Sequence, residues 1–201
     1  MPRVRPLDEQ FEPEEAARIR SVQDRLAALK IRFDVSRYFV VEIIRCLEAG
    51  MLLSGLLVAT ALLELLVRVA VVNRRVSVTP STSTVEPGKV ILEIHRAVEE
   101  DRSLGFSTLV MELEGIGVLS TSEAAELRRI YSSNRIPLHH AIIHRFIRFH
   151  TDPEWRDFLD ESGLAAFSTG RDFEEAIETQ AISLLEEVCS GVEQVVSKGA
   201  V

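Results

Sequence analysis

The chain has 201 residues, of which 46% are hydrophobic and 27% are charged, a composition typical of one soluble globular domain that buries a core. Its formal net charge is −8 and its pI is about 5.2, which argues against indiscriminate binding to duplex nucleic acid. These totals leave open a nucleic-acid contact that is confined to one patch.

The cysteines and the first residues bear on the cellular compartment. Cys46 and Cys189 lie far apart, each within an apolar helical pattern, so neither a disulfide framework nor a metal-binding pair is expected. The N-terminal residues lack the apolar core of a secretory signal. We therefore expect a cytoplasmic protein.

Two amphipathic helices are predicted in the first quarter of the chain. Glu14–Arg32 has apolar residues at helical spacing and follows Pro13, which favours a helix start. Arg37–Glu48 has the same period, and Ser36 is placed to cap its first turn.

The segment Ala49–Val72 is apolar nearly all round, which predicts a helix at the centre of a bundle. Its uncharged run ends after 15 residues, at Glu64, and Arg68 follows one helical turn later. Because a membrane span needs roughly 18–20 apolar residues, we favour a buried helix of a soluble bundle and expect no membrane association.

Glu64 and Arg68 are four positions apart and are therefore expected to pair. Two interpretations of this pair stay open. In one, it is a partly exposed salt bridge near the end of the helix. In the other, Glu64 reaches a polar site formed by residues that come later in the chain.

The rest of the chain is also predicted to be helical, which makes the fold class all-α. Val76–Gly88 is rich in Ser, Thr and Pro and predicts a loop. Ser120 and Glu123 form a capping-box pattern that begins a helix, and Asn134–Pro137 is expected to interrupt it, since the residue before proline avoids the helical region. The other predicted helices are Lys89–Arg102, Phe106–Leu113, Pro137–His150 and Asp172–Ser197.

The most unusual stretch for charge is Arg128–His150. It carries five arginines and four of the five histidines, and it contains no carboxylate. Its formal charge of +5 within a chain of −8 means that the remaining residues sum to −13. A local excess of this kind favours contact with an anionic partner.

Within this stretch, Arg135 and His140 lie on either side of the expected helix junction. A helix that begins near Pro137 would offer unpaired backbone N–H groups and a positive dipole end, which suit a phosphate. An arginine adds a fork of donors, and a histidine can transfer a proton near neutral pH. The pair would therefore suit RNA cleavage through the 2′-hydroxyl, in a scheme that needs no metal.

Neighbouring polar residues are candidates for contacts with RNA phosphates. The candidates are Asn134, His139, His144, Arg145 and Arg148. Simpler interpretations stay open: Arg135 could pair with a carboxylate, His140 could be an interhelical histidine, and the later arginines could form a solvated helix face. His140 and His144 have a spacing that can bind a metal, but no cysteine or carboxylate nearby completes such a site.

The residues from Arg135 to His140 fit the R-x4-H motif and thereby resemble the HEPN superfamily. The apolar segment Leu53–Arg68 also looks like the small-residue-rich second helix of these domains. The resemblance covers roughly Arg37–His150. It implies a bundle of about five core helices over residues 36–150, with an N-terminal helical extension over 1–35 and a C-terminal turn and long helix over 151–201.

The resemblance also implies a function. HEPN domains are usually homodimers, and many are metal-independent endoribonucleases of toxin–antitoxin, abortive-infection and RNA-processing systems. On this likeness Arg135 and His140 are the catalytic pair, and no cofactor is required. Glu64 and Arg68 are candidates for supporting residues on the separate ground of their position in the apolar helix. The alternative is a non-catalytic HEPN-like module that binds RNA, a nucleotide or a protein partner. Ile136 favours that alternative, because active members usually carry a polar residue at this position.

Overall fold

The computed structural model describes residues 6–31, 34–78, 87–101, 103–139 and 170–199, with the backbone alone for residues 34, 87, 133–139 and 170–179. Over these residues the protein forms eight α-helices and no strand, which confirms the all-α prediction. The helices are α1 (Leu7–Gln10), α2 (Pro13–Ala27), α3 (Asp34–Glu48), α4 (Leu52–Val78), α5 (Pro87–Glu100), α6 (Phe106–Gly115), α7 (Thr121–His139) and α8 (Gly170–Ser197).

Helix α4 is the centre of the bundle, as its all-round apolar pattern predicts. It packs against α3, α5, α6, α7 and α8. Its buried residues cover more than half of the helix circumference, and the remaining strip, at residues 57, 61, 64, 65 and 68, is partly exposed. The buried residues are Leu52, Gly55, Leu56, Ala59, Thr60, Leu62, Leu63, Leu66, Val67, Val69, Ala70, Val71 and Val72. A helix with no polar face is stable in water only when other helices cover it, so α4 dictates where its neighbours lie.

Small residues set how closely the helices around α4 approach. At Gly55 an added Cβ would lie 3.2 Å from Cδ2 of Leu47, which is on α3. At Gly191 on α8 it would lie 3.3 Å from Cδ2 of Leu127 and 3.4 Å from Cδ2 of Leu63. These glycines let α3 and α8 approach α4 closely. The two interfaces, α3 with α4 and α8 with α4, are the most extensive helix contacts among the described residues.

Among the described residues, α4 is the one helix long and apolar enough to cross a membrane. However, 67% of its most apolar 18-residue window is buried by the rest of the protein. A core helix of a bundle has this pattern, because its apolar surface is covered by protein and not by lipid. The cytoplasmic location stays a prediction.

Helices α2 and α8 are joined by two copies of one polar contact. Arg18 donates to both carboxylate oxygens of Glu186, at 3.0 and 2.6 Å, and to Oγ of Ser183 at 2.8 Å. Seven residues later, Arg25 makes the equivalent bonds to Glu193, at 2.9 and 2.7 Å, and to Oγ of Ser190 at 2.9 Å. The residue numbers of the paired side chains increase in the same direction on both helices, and each pair lies seven residues after the previous one. Helices α2 and α8 therefore run parallel, with contacts that repeat every seven residues.

Most predicted helix boundaries agree with the structure to within three residues, but four expectations about the chain were wrong. The helix predicted over Glu14–Arg32 ends at Ala27, because the chain leaves it to bury Ile31, which is 3% exposed. Ser36 does not cap α3. It lies within that helix, fully buried, and its Oγ has no hydrogen-bond partner among the described residues.

The third error concerns the predicted loop Val76–Gly88. Val76–Val78 continue α4, and Pro87 and Gly88 begin α5, while residues 79–86 lie outside the described ranges. The reason is tertiary: Arg75 donates to both carboxylate oxygens of Glu112 on α6, at 2.8 and 2.6 Å, and thereby holds the last turn of α4. The fourth wrong expectation is the helix break at Asn134–Pro137, which lies within α7.

The start of α7 confirms the capping box. The Ser120 amide donates to Oε2 of Glu123 at 2.8 Å, and the Glu123 amide donates to Oγ of Ser120 at 3.3 Å. Lys198, at the end of α8, contacts Oε1 of Glu123 at 2.6 Å. The Lys198 ammonium and the Ser120 donors together lower the pKa of Glu123 to about 2.

We expect Gly191→Leu to lower the free energy of unfolding by about 1–3 kcal/mol, because the new side chain would meet Leu63 and Leu127 in a packed interface. Gly88→Leu is the matched control, since a Cβ at Gly88 meets nothing within 4 Å. Urea unfolding of both variants measures the difference. Equal stability of the two would contradict the close helix approach.

We expect the Glu123 carboxylate to stabilise the protein above pH 4.5 and to lose this effect as the pH falls toward about 2, because its pKa is lowered in the folded state. The difference in Tm between the wild type and Glu123→Gln should therefore shrink over that interval. Glu9→Gln, at an exposed carboxylate of α1, is the control for a general charge effect. A difference that does not change with pH would contradict the assignment.

Candidate functional site

The structure places part of the predicted site on α7. Asn134, Arg135 and His139 lie in this helix, for which the structure gives the backbone at these positions. His140, His144, Arg145 and Arg148 lie outside the described residues. Whether Arg135 and His140 come together therefore stays a prediction.

The expected helix break at Asn134–Pro137 was wrong, since α7 runs without interruption from Thr121 to His139. A proline inside a helix removes one hydrogen bond and crowds the preceding turn, at a cost of about 3 kcal/mol. That cost disfavours a proline inside a helix but does not forbid it, and α7, whose preceding turns bury Leu127 and Ile130 in the core, continues through Pro137. As a consequence, Arg135 does not lie at a helix N-terminus, and the backbone N–H groups expected to bind phosphate there belong to a continuous helix.

Tyr131, four residues before Arg135 on α7, belongs to a cluster of contacts that we call the Glu64 junction. Its members are Glu64, Arg68, Val98, Phe106 and Tyr131. Oε1 of Glu64 accepts a hydrogen bond from Nη2 of Arg68 at 3.0 Å, and its Oε2 accepts one from the Tyr131 hydroxyl at 2.8 Å. Glu64 and Arg68 lie on α4, and Tyr131 lies on α7. The carboxylate thus connects the central helix to the helix that carries Arg135.

The junction extends to α5 through Arg68. Its Nη1 donates to the carbonyl oxygen of Val98 at 3.2 Å. Val98 is in the last turn of α5, where carbonyl oxygens lack partners within the helix. A guanidinium at this end also opposes the negative end of the helix dipole. Arg68 therefore holds the end of α5 against α4.

Tyr131 completes the junction by packing on α6. Its ring stacks on Phe106, with centroids 3.8 Å apart and planes 5° from parallel. Tyr131 was not among the residues predicted to form the site. The available signal was its position four residues before Arg135, which places both residues on the same face of a continuous helix.

The predicted pairing of Glu64 with Arg68 is confirmed. The side chains are 23% and 24% exposed respectively, so the pair is neither fully solvated nor fully buried. Glu64 also reaches α7 one turn before Arg135, through Tyr131. Its predicted support of catalysis is a separate claim and stays a prediction.

A small depression lies beside the junction, lined by Leu65, Arg68, Val69, Val72, His95, Val98 and Glu99. Its volume of about 40 Å³ suits a few water molecules and is too small for a nucleotide. Within the described ranges, no three His, Cys, Asp or Glu side chains come close enough to hold a metal ion.

Two arginines of the basic stretch are paired with carboxylates from other helices. Arg128 lies 3.7 Å from Glu114 on α6. Arg129 contacts Glu126 on its own helix at 2.8 Å and Glu187 on α8 at 3.2 Å. The hydrogen bond that Arg129 donates to the Glu126 carboxylate is the main cause of the raised pKa of Arg129. The start of the basic stretch is therefore partly neutralised by tertiary contacts that the local sequence does not show.

Comparison with protein-family models, with curated proteins and with solved structures gave no match. The function proposed for the candidate site therefore depends on its own residues and their contacts.

We expect Glu64→Ala to lower the free energy of unfolding by about 1–3 kcal/mol, because it leaves the part-buried Arg68 and the Tyr131 hydroxyl without this acceptor. The matched control is Glu100→Ala, which breaks the Arg96–Glu100 pair of the same spacing, with side chains 73% and 65% exposed. We expect Glu100→Ala to lower the free energy of unfolding by about 0.5 kcal/mol or less, because the pair it breaks is exposed to solvent. Chemical unfolding compares them, and an equal loss in both would contradict the special role of the junction.

Proposed function

We propose that this protein is a HEPN-like helical protein that cleaves RNA without a metal, with Arg135 and His140 as the catalytic pair. The observation that carries the proposal is the R-x4-H pair in a stretch of 23 residues without a carboxylate. Two structural features support it. The bundle is all-α around an apolar helix, and α7 is bound to that helix at Tyr131, one turn before Arg135.

In the proposed reaction the 2′-oxygen of a ribose attacks the adjacent phosphorus, and the bond from phosphorus to the 5′-oxygen breaks. The products are a 2′,3′-cyclic phosphate and a 5′-hydroxyl. His140 performs one of the two proton transfers, either taking the proton from the 2′-hydroxyl or giving one to the leaving 5′-oxygen, and a water molecule performs the other. Arg135 stabilises the charge that develops on the phosphoryl oxygens. Asn134, His139, His144, Arg145 and Arg148 contact neighbouring phosphates, and the enzyme acts as a homodimer.

A second candidate function is a non-catalytic HEPN-like module that binds RNA, a nucleotide or a protein. The continuity of α7 favours it, because a helix N-terminus is not available at Arg135 to bind the reacting phosphate. The pairing of Arg128 and Arg129 with carboxylates favours it too, because it reduces the positive charge open to RNA.

We expect purified protein to cleave single-stranded RNA in EDTA and to leave 2′,3′-cyclic phosphate ends. Arg135→Ala and His140→Ala should each lower kcat/KM by about 10²–10⁴-fold, because each removes a group that acts in the transition state. Gel analysis of end-labelled RNA measures the rate. Arg96→Ala and His95→Ala on α5 are the matched controls, and both should retain activity.

The same assay separates the two candidate functions. RNA that binds, with an affinity that falls with salt and with Arg135→Ala, but that is not cleaved would exclude the nuclease and favour the binding module. Cleavage that is equal in the wild type and in both site variants would indicate a contaminating nuclease and contradict the proposed catalytic pair.

A further inference from the structure

We draw no further inference here: the strongest candidate, the apolar surface patch on the outer face of α3 where Val35, Tyr38 and Val41 are 49%, 62% and 44% exposed, carries nothing, because no contact in the described part of the protein shows what covers it.

Discussion

The structure depends on the need to cover a helix that has no polar side. Thirteen residues of α4 are buried, over more than half of its circumference, and five other helices pack against it. Burying a large aliphatic side chain contributes on the order of 1.5–3 kcal/mol, so this one helix supplies an upper estimate of tens of kcal/mol. The neighbouring helices are amphipathic and each contributes one apolar face. These helices are arranged around α4 so that their apolar faces cover it.

The Glu64 junction adds direction to this packing. Hydrophobic burial is nearly indifferent to small rotations of a helix, whereas hydrogen bonds to a carboxylate have preferred distances and angles. The Glu64–Arg68 ion pair of α4 binds α5 through the Val98 carbonyl oxygen and α7 through Tyr131, and the Tyr131 ring packs on Phe106 of α6. The polar groups that α4 does carry thus give its neighbours a defined orientation.

The candidate site shows which parts of a site can be predicted from a sequence. The pairing of Glu64 with Arg68 was predictable because a helix brings residues four apart together. The role of Tyr131 was not, because its partner lies 67 residues away and only the packing of α7 on α4 joins them. The continuity of α7 through Pro137 was likewise missed, because a proline disfavours a helix interior without forbidding it.

The sequence by itself determined the all-α class, the central position of α4, the capping box at Ser120 and Glu123, and a basic stretch within an acidic chain. These features depend on periodicity, on contacts within one helical turn and on charge counts, all of which are local. The tertiary structure decided where helices end, which carboxylates neutralise Arg128 and Arg129, and how α2 and α8 pair in parallel. Those outcomes depend on contacts between residues that are far apart in the chain. These contacts contribute to stability only after the bundle has brought the residues together.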